Sequence, residues 1–107
     1  MEIKKLDDFV RGWFVGGFSP TFYETTDVEV AVQHFKAGAK EAMHCHKIAT
    51  EITVIVSGQA KMNDKLLDAG AIVKIAPGEF TDFEAIEDTI TAVVKVPGAL
   101  DDKYLKD

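Results

Sequence analysis

The sequence of 107 residues predicts one all-β domain, a sandwich or barrel built from about eight short strands. Runs rich in valine, isoleucine and threonine recur from Asp27 onward, and most of their apolar periodicity is two. Glycine, proline and Asn-Asp turn signals separate these runs at short, regular intervals. The length is close to the commonest domain size and allows a single hydrophobic core.

The N-terminal segment, residues 1–27, is predicted to be an arm outside the barrel core. Ile3, Leu6 and Val10 have near-helical spacing, which favours a short helix or an extended arm. The following stretch, GWFVGGFSPTFY, places its aromatic residues among three glycines and a proline. Such a stretch is too broken for a helix, so we expect short strands or a loop whose aromatics cover a core or meet a partner chain.

The predicted strands follow in order, and together they form a barrel core over about residues 28–96. Asn63-Asp64 tolerates the left-handed backbone of a tight turn and predicts a hairpin between the fourth and fifth strands. The polar tail, residues 97–107, is expected to fray or to form a helical turn. The predicted strands are 28–35, 42–46, 52–57, 59–62, 65–67, 71–76, 81–86 and 89–96.

The predicted strand 52–57 is apolar on both faces, with Ile52, Val54 and Val56 on one face and Ile55 on the other. A small barrel has only one interior. The second apolar face therefore indicates contact with a partner chain or with the N-terminal segment, and we predict a homodimer.

Composition excludes several classes of function. The net charge is −6 and only one of the twelve basic residues is an arginine, Arg11, so no cluster for nucleic-acid phosphates is present. No apolar run approaches the roughly 20 residues of a membrane span, and the start MEIKKLDD lacks the apolar stretch of a signal peptide. We expect a cytoplasmic protein without a membrane or nucleic-acid partner. The single Cys45 cannot form an internal disulfide.

The stretch AMHCHKIATE, residues 42–51, carries the residues with the most distinctive chemistry. Side chains alternate along a strand, so His44 and His46 share one face while Cys45 points away, which disfavours a Cys-His nucleophile. If the next strand pairs antiparallel with this one, Glu51 lies near His46 across a hairpin. Two imidazoles and a carboxylate then form a candidate site for iron, manganese, nickel or zinc.

An isolated H-x-H is more often polar decoration of a strand than a metal site, but the flanking spacing is more specific. Gly38, His44, His46, Glu51 and Gly58 are similar at every fixed position to the first motif of the cupin superfamily, G-x5-H-x-H-x3,4-E-x6-G. The resemblance implies a double-stranded β-helix, or jelly-roll, barrel with a short N-terminal arm. It also implies a dimer, with a divalent transition metal bound inside the barrel by His44, His46 and Glu51.

A second stretch, Gly70 to Pro77-Gly78, resembles the start of the second cupin motif, and here the sequence departs from the pattern. Thr81 stands where the family has its fourth ligand, a histidine. The site then has three protein ligands plus water, or it recruits another residue. Gln33, His34, Glu79 and Asp82 are candidates, although an ordinary surface or turn role is favoured for each. The residues expected to line the pocket are Thr53, Ile55, Thr81 and Phe83.

Three functions are compatible with these features. The first is a small metal-dependent enzyme, dioxygenase- or isomerase-like, that acts on a small polar molecule inside the barrel. The second is a module that binds or senses a sugar or an organic acid without catalysis, since no obvious second acid-base pair accompanies the three residues. Tyr23 and Lys40 are candidates, but a packing role for the tyrosine and a solvated role for the lysine are favoured. The third is a structural dimer. We rank it last because ionisable groups in an apolar interior are costly without a metal or hydrogen bonds.

Overall fold

In the computed structural model, which describes Met1 to Asp107, two five-stranded antiparallel sheets face each other. Two short 3-10 turns, Leu6–Asp8 and Val10–Gly12, precede the first strand. The strands are β1 (Trp13–Val15), β2 (Glu29–Phe35), β3 (Lys40–Cys45), β4 (Thr50–Ser57), β5 (Gln59–Met62), β6 (Lys65–Asp68), β7 (Ile72–Ile75), β8 (Thr81–Ala85), β9 (Thr89–Val96) and β10 (Tyr104–Leu105).

The order of the strands shows a double-stranded β-helix. The first sheet has the order β1-β2-β9-β4-β7, and the second has the order β10-β3-β8-β5-β6. From β2 to β10 the chain crosses repeatedly from one sheet to the other, and only the β5–β6 hairpin stays within a sheet. Side chains on consecutive strands therefore meet across the interior instead of lying side by side.

The predicted strands are present, with ends that differ by a few residues at most. The hairpin prediction is confirmed: β5 pairs with β6, and Asn63 and Asp64 have the left-handed φ angles of 48° and 65°. The prediction that the tail frays or forms a helical turn is wrong at its end, because β10 pairs with β3 and places Tyr104 opposite Cys45. This pairing joins segments more than fifty residues apart, and no local pattern announces it.

The hydrophobic core occupies one end of the space between the sheets. Along the inner face of β4, Glu51 and Thr53 lie toward one end of the barrel and Ile55, fully buried, toward the other. Ile55 belongs to a buried cluster in which the rings of Phe83 and Phe35 lie 4.6 Å apart. Packing at this end leaves the opposite end of the interior free for a polar site.

The outer face of the first sheet carries apolar side chains. Ile52 and Val54 of β4 are half-buried, while Val56 and Ile72 are 52% and 68% exposed. The N-terminal strand β1 lies at the edge of this sheet beside β2 and not over the outer face of β4. None of the helical turns is long or apolar enough to span a membrane.

Candidate metal centre

A cavity of about 110 Å³ lies between the two sheets, at the end away from the apolar core. His44, His46 and Glu51 all line it, and so do three of the four residues expected in the pocket, Thr53, Thr81 and Phe83. Ile55 does not line the cavity, because it lies two residues beyond Thr53 on β4 and is packed into the core. Cys45 is buried and outside the cavity, as the alternation of side chains predicts.

His44 projects into the cavity from the end of β3. The pairing of β3 with β8 shifts between Glu41 and His44, and His44 then lies directly opposite Thr81. The Nδ1 atom of His44 donates a hydrogen bond of 2.8 Å to the carbonyl of Ala42, since a carbonyl can only accept. This hydrogen bond occupies Nδ1 and leaves Nε2 as the ring nitrogen that could bind a metal.

His46 and Glu51 approach each other, but not through the predicted hairpin. β3 and β4 belong to different sheets, so the prediction that they pair antiparallel is wrong. The two side chains meet across the interior, with Nδ1 of His46 and Oε1 of Glu51 3.8 Å apart. The hydroxyl of Thr53 donates a hydrogen bond of 3.0 Å to the other oxygen of Glu51 and fixes the orientation of the carboxylate.

His46 is buried, and its surroundings favour the neutral ring. Loss of hydration, together with the positive charge of Lys95 and the neighbouring His44, lowers the pKa of His46 from 6.5 to about 4. The rings of His44 and His46 lie edge to face with their centres 5.4 Å apart. Near neutral pH the ring of His46 therefore keeps a nitrogen lone pair available at the cavity.

A residue that the sequence analysis did not identify, Asp102, holds the loop between His46 and Glu51. Its buried carboxylate accepts backbone hydrogen bonds of 2.9–3.2 Å from the consecutive N–H groups of Lys47, Ile48 and Ala49. Burial by itself raises the pKa of Asp102, but these three hydrogen bonds outweigh it and lower the pKa below 3.8. Only the folded chain brings the tail to this loop, so sequence spacing gives no signal for it.

A second contact holds the same loop from the other side. The N–H of Gly78, in the turn after β7, donates a hydrogen bond of 2.6 Å to the carbonyl of His46. Gly78 has φ of +84°, a backbone conformation that residues other than glycine rarely adopt. The glycine of the second motif thus positions a residue of the first.

Thr81, which the sequence aligns with the fourth ligand of the cupin motif, is buried and faces His44 across the β3–β8 pairing. Of the alternative ligands, Gln33 and Asp82 line the cavity. His34 is exposed and lies outside it, and Glu79 is an exposed residue of the turn after β7. Tyr23 and Lys40, the further acid-base candidates, are both exposed and outside this cavity as well.

The donor chemistry of the cavity fits a divalent transition metal, although the side chains do not form a closed coordination group. No three His, Cys, Asp or Glu side chains converge closely enough to define a formed site. Two imidazoles and one oriented carboxylate nevertheless face a common space. The hydroxyl oxygen of Thr91, buried in the wall of this cavity, has no hydrogen-bond partner within the protein. Such an atom is what a bound ligand or water would satisfy.

Comparison with known proteins identifies similar folds. No protein-family model matches the chain, and no curated protein matches it. A solved structure from Klebsiella pneumoniae, an uncharacterized conserved protein with a double-stranded β-helix domain, is 26% identical. The alignment covers 97% of this chain and 90% of that one, with a TM-score of 0.73.

Two further structures extend the comparison to more distant proteins. An RmlC-like cupin from Shewanella frigidimarina is 20% identical over 72% of each chain, with a TM-score of 0.67. Oxalate decarboxylase from Bacillus subtilis is 16% identical, over 75% of this chain and 24% of that chain, with a TM-score of 0.67. Another structure of oxalate decarboxylase concerns its Mn(II) centres. At such identities the similarity establishes the fold alone.

Proposed function

Because the chain is a small domain with the cupin fold, we propose that it binds a divalent transition metal and acts on a small polar molecule inside the barrel. The observation that carries this proposal is the position of His44, His46 and Glu51 on the wall of one cavity. Two imidazoles and one carboxylate leave coordination positions open, as iron, manganese, nickel or zinc in a catalytic site requires. The manganese of oxalate decarboxylase, a protein of similar fold, supports a metal but does not identify it.

In this proposal each residue has a distinct part. His44 and His46 present ring nitrogens, and Glu51 presents the carboxylate oxygen that Thr53 leaves free. A metal bound by these residues would act as a Lewis acid and polarise an oxygen atom of the substrate. Thr81 contributes a small hydroxyl where a fourth ligand would stand, so it leaves room for substrate beside His44.

The size of the cavity limits the substrate. Its volume of about 110 Å³ accommodates roughly seven to eleven water molecules at ~10–15 Å³ each. A molecule with about that number of non-hydrogen atoms fills the space. Its polar atoms would meet Thr91, whose hydroxyl oxygen is buried without a partner, and Gln33, which pairs with Thr91 across the sheet.

Metal analysis of the protein purified without added metal tests this proposal. We expect about one transition-metal ion per chain in the wild type and loss of most of it in His44→Ala. His34→Ala is the matched control, because His34 lies on β2, is exposed and does not line the cavity. Equal metal content and equal thermal stability in wild type and His44→Ala would remove the basis for the metal site.

A non-catalytic binding module is the second candidate. The observation that favours it is the position of Tyr23 and Lys40, which are exposed and outside the cavity, so neither can serve as an acid or base there. A panel of diketones, catechols and sugar phosphates separates the two candidates. Turnover of any of them supports the enzyme, while saturable binding without conversion supports the module.

A homodimer is also part of this proposal. The exposed side chains of Val56 and Ile72 on the outer face of the first sheet, together with the half-buried Ile52 and Val54, form an apolar surface that association would cover. A stable dimer buries about 800 Å² on each partner. Replacing Ile72 by lysine should give monomers in sedimentation velocity, and an unchanged dimer would place the interface elsewhere.

A further inference from the structure

The walls of the cavity carry three cationic side chains from three separate elements. Arg11 comes from the N-terminal arm, Lys95 from β9, and Lys103 from the tail that follows Asp102. The chain as a whole has a net charge of −6 and one arginine, and that arginine is at this cavity. Cations are therefore placed here against the overall charge of the protein.

None of these three cations has an ionic partner. Two pairs of ionisable side chains lie within 4.0 Å, and neither involves a cation of this set: Lys61–Asp64, and His46–Glu51, in which the histidine ring is neutral near pH 7. Lys95 lies between Glu29 and Glu51 in the pairing of β9 with its two neighbours, and neither carboxylate is within 4.0 Å of it, although its charge offsets part of the burial that raises the pKa of Glu29. Its ammonium group instead lies 4.8 Å from the centre of the Trp13 ring.

The carboxylates that share the cavity are mostly committed to other contacts. Glu51 accepts the hydroxyl of Thr53 and faces His46. Asp82 accepts a hydrogen bond of 2.7 Å from the backbone N–H of Asn63. Only Glu41 has neither a hydrogen bond nor an ion pair from its side chain, so the cations without partners outnumber the carboxylates without partners.

Arg11 is held in place by its backbone. It has the left-handed angles φ 49° and ψ 34°, and its carbonyl accepts a hydrogen bond of 3.0 Å from the side chain of Gln33, a cavity residue. A left-handed conformation is uncommon for a residue of this size and persists where the surroundings impose it. The next residue, Gly12, lies so close to β2 that a Cβ atom would stand 1.9 Å from the carbonyl oxygen of Val32.

We infer that the cavity binds a small anion of the carboxylate or phosphate type, whose charged oxygens are held by Arg11, Lys95 and Lys103. Thr91 provides an independent polar contact, since the residue is 1% exposed and its hydroxyl has no partner. It lies on the same face of β9 as Lys95, and the Cα atoms of the two residues are about 13 Å apart along the strand at ~3.3 Å per residue. This inference rests on the proposed small-molecule site, although it does not require the metal.

Binding of defined probes tests the inference. Calorimetry should detect binding of malonate, of inorganic phosphate or of both to the wild type. The affinity for the anion should fall as salt is added. Malonamide, which has the shape of malonate without its charge, should not bind. Tighter binding of malonate identifies a carboxylate ligand, whereas tighter binding of phosphate identifies a phosphate ligand.

Variants distinguish a built site from general attraction. Lys103→Met and Lys95→Met should each weaken binding about tenfold at low salt. Lys103 is exposed, so its variant remains informative if Lys95→Met fails to fold. Lys74→Met, on the outer face of β7, is the matched control and should bind as the wild type does.

The metal and the anion can fail separately. His44→Ala should lose metal but keep most of its affinity for the anion, while Lys103→Met should keep metal and lose affinity. Equal binding of malonamide, an equal loss in Lys74→Met, or loss of all anion binding in His44→Ala would each overturn the inference. Absence of any anion binding with metal content intact would also overturn it and leave the proposed metal site standing.

Discussion

Replacing Asp102 by asparagine tests how the C-terminal tail supports the candidate site. Its carboxylate receives the N–H groups of Lys47, Ile48 and Ala49, with Ile48 shared between the two oxygens. Asparagine has nearly the same shape but only one accepting oxygen. Its amide NH2 group must face the backbone N–H of either Lys47 or Ala49, so one backbone donor is left opposite another donor.

The expected loss of stability follows from this count. Hydrogen bonds to a charged acceptor contribute about 1.5–3 kcal/mol each, and a buried donor left without a partner costs about 1–3 kcal/mol. Asparagine keeps weakened bonds to two of the three donors, so we expect Asp102→Asn to destabilise the fold by about 2–4 kcal/mol. Asp102→Ala, which keeps none, should cost about 3–5 kcal/mol.

Urea denaturation followed by intrinsic fluorescence, at pH 7 and again near pH 3, measures this. The folded pKa of Asp102 is lower than its ordinary value of 3.8. Its charge therefore contributes stability that is fully present above that value and is lost as the pH falls through the folded pKa. The difference between wild type and Asp102→Asn should accordingly shrink in acid.

The neighbouring residue provides the matched control. Asp101 is exposed and has φ of 56°, a conformation that asparagine tolerates well, so Asp101→Asn should change stability by less than about 0.5 kcal/mol. Equal stabilities of Asp102→Asn and Asp101→Asn at pH 7 would refute the reasoning. If the loop also orients His46, Asp102→Asn should bind metal more weakly under conditions where it remains folded.

Four further outcomes are expected. Thr81→His places an imidazole opposite His44 and should tighten metal binding, measured in competition with a chelator. The larger side chain overpacks a buried position and should lower the free energy of unfolding by about 1–3 kcal/mol. Unchanged metal affinity would contradict the placement of Thr81. Ile55→Ala should lower the free energy of unfolding by about 2–5 kcal/mol, because this side chain is fully buried in the core, whereas the exposed Val56→Ala should change it little; similar losses in both would disagree with the inward direction of Ile55. Thr91→Val removes a buried hydroxyl without a partner and should stabilise the ligand-free protein by about 1 kcal/mol in denaturant melts, and a loss of stability would reveal a partner for that hydroxyl. In metal-free protein, the stability that depends on a neutral His46 is complete above about pH 6.5 and is lost as the pH falls to about 4. The change in the free energy of unfolding is at most about 3 kcal/mol. A denaturation series across this pH range would detect it, and His46→Gln should abolish it.

The strands and the candidate ligands illustrate what local sequence can predict. The period-two pattern and the Asn63-Asp64 turn depend only on residues near each other in the chain, and the strands and hairpin formed where these signals stood. The spacing of His44 and His46 likewise ensures that two side chains leave one face of a strand. Local spacing could not tell which strand would bring Glu51 to them, so the predicted hairpin was wrong although the two side chains do meet.

The sequence by itself determined the all-β pattern, the positions of most strands and the residues able to coordinate a metal, because backbone preference and side-chain chemistry are local properties. Tertiary structure alone decided which further residues surround the cavity. It buried Ile55 in the core, turned His34 outward and Gln33 inward, and brought Asp102 under the loop after His46. Contacts between residues about fifty positions apart form only when the two sheets close on each other, since sequence spacing carries no record of which strands become neighbours in space.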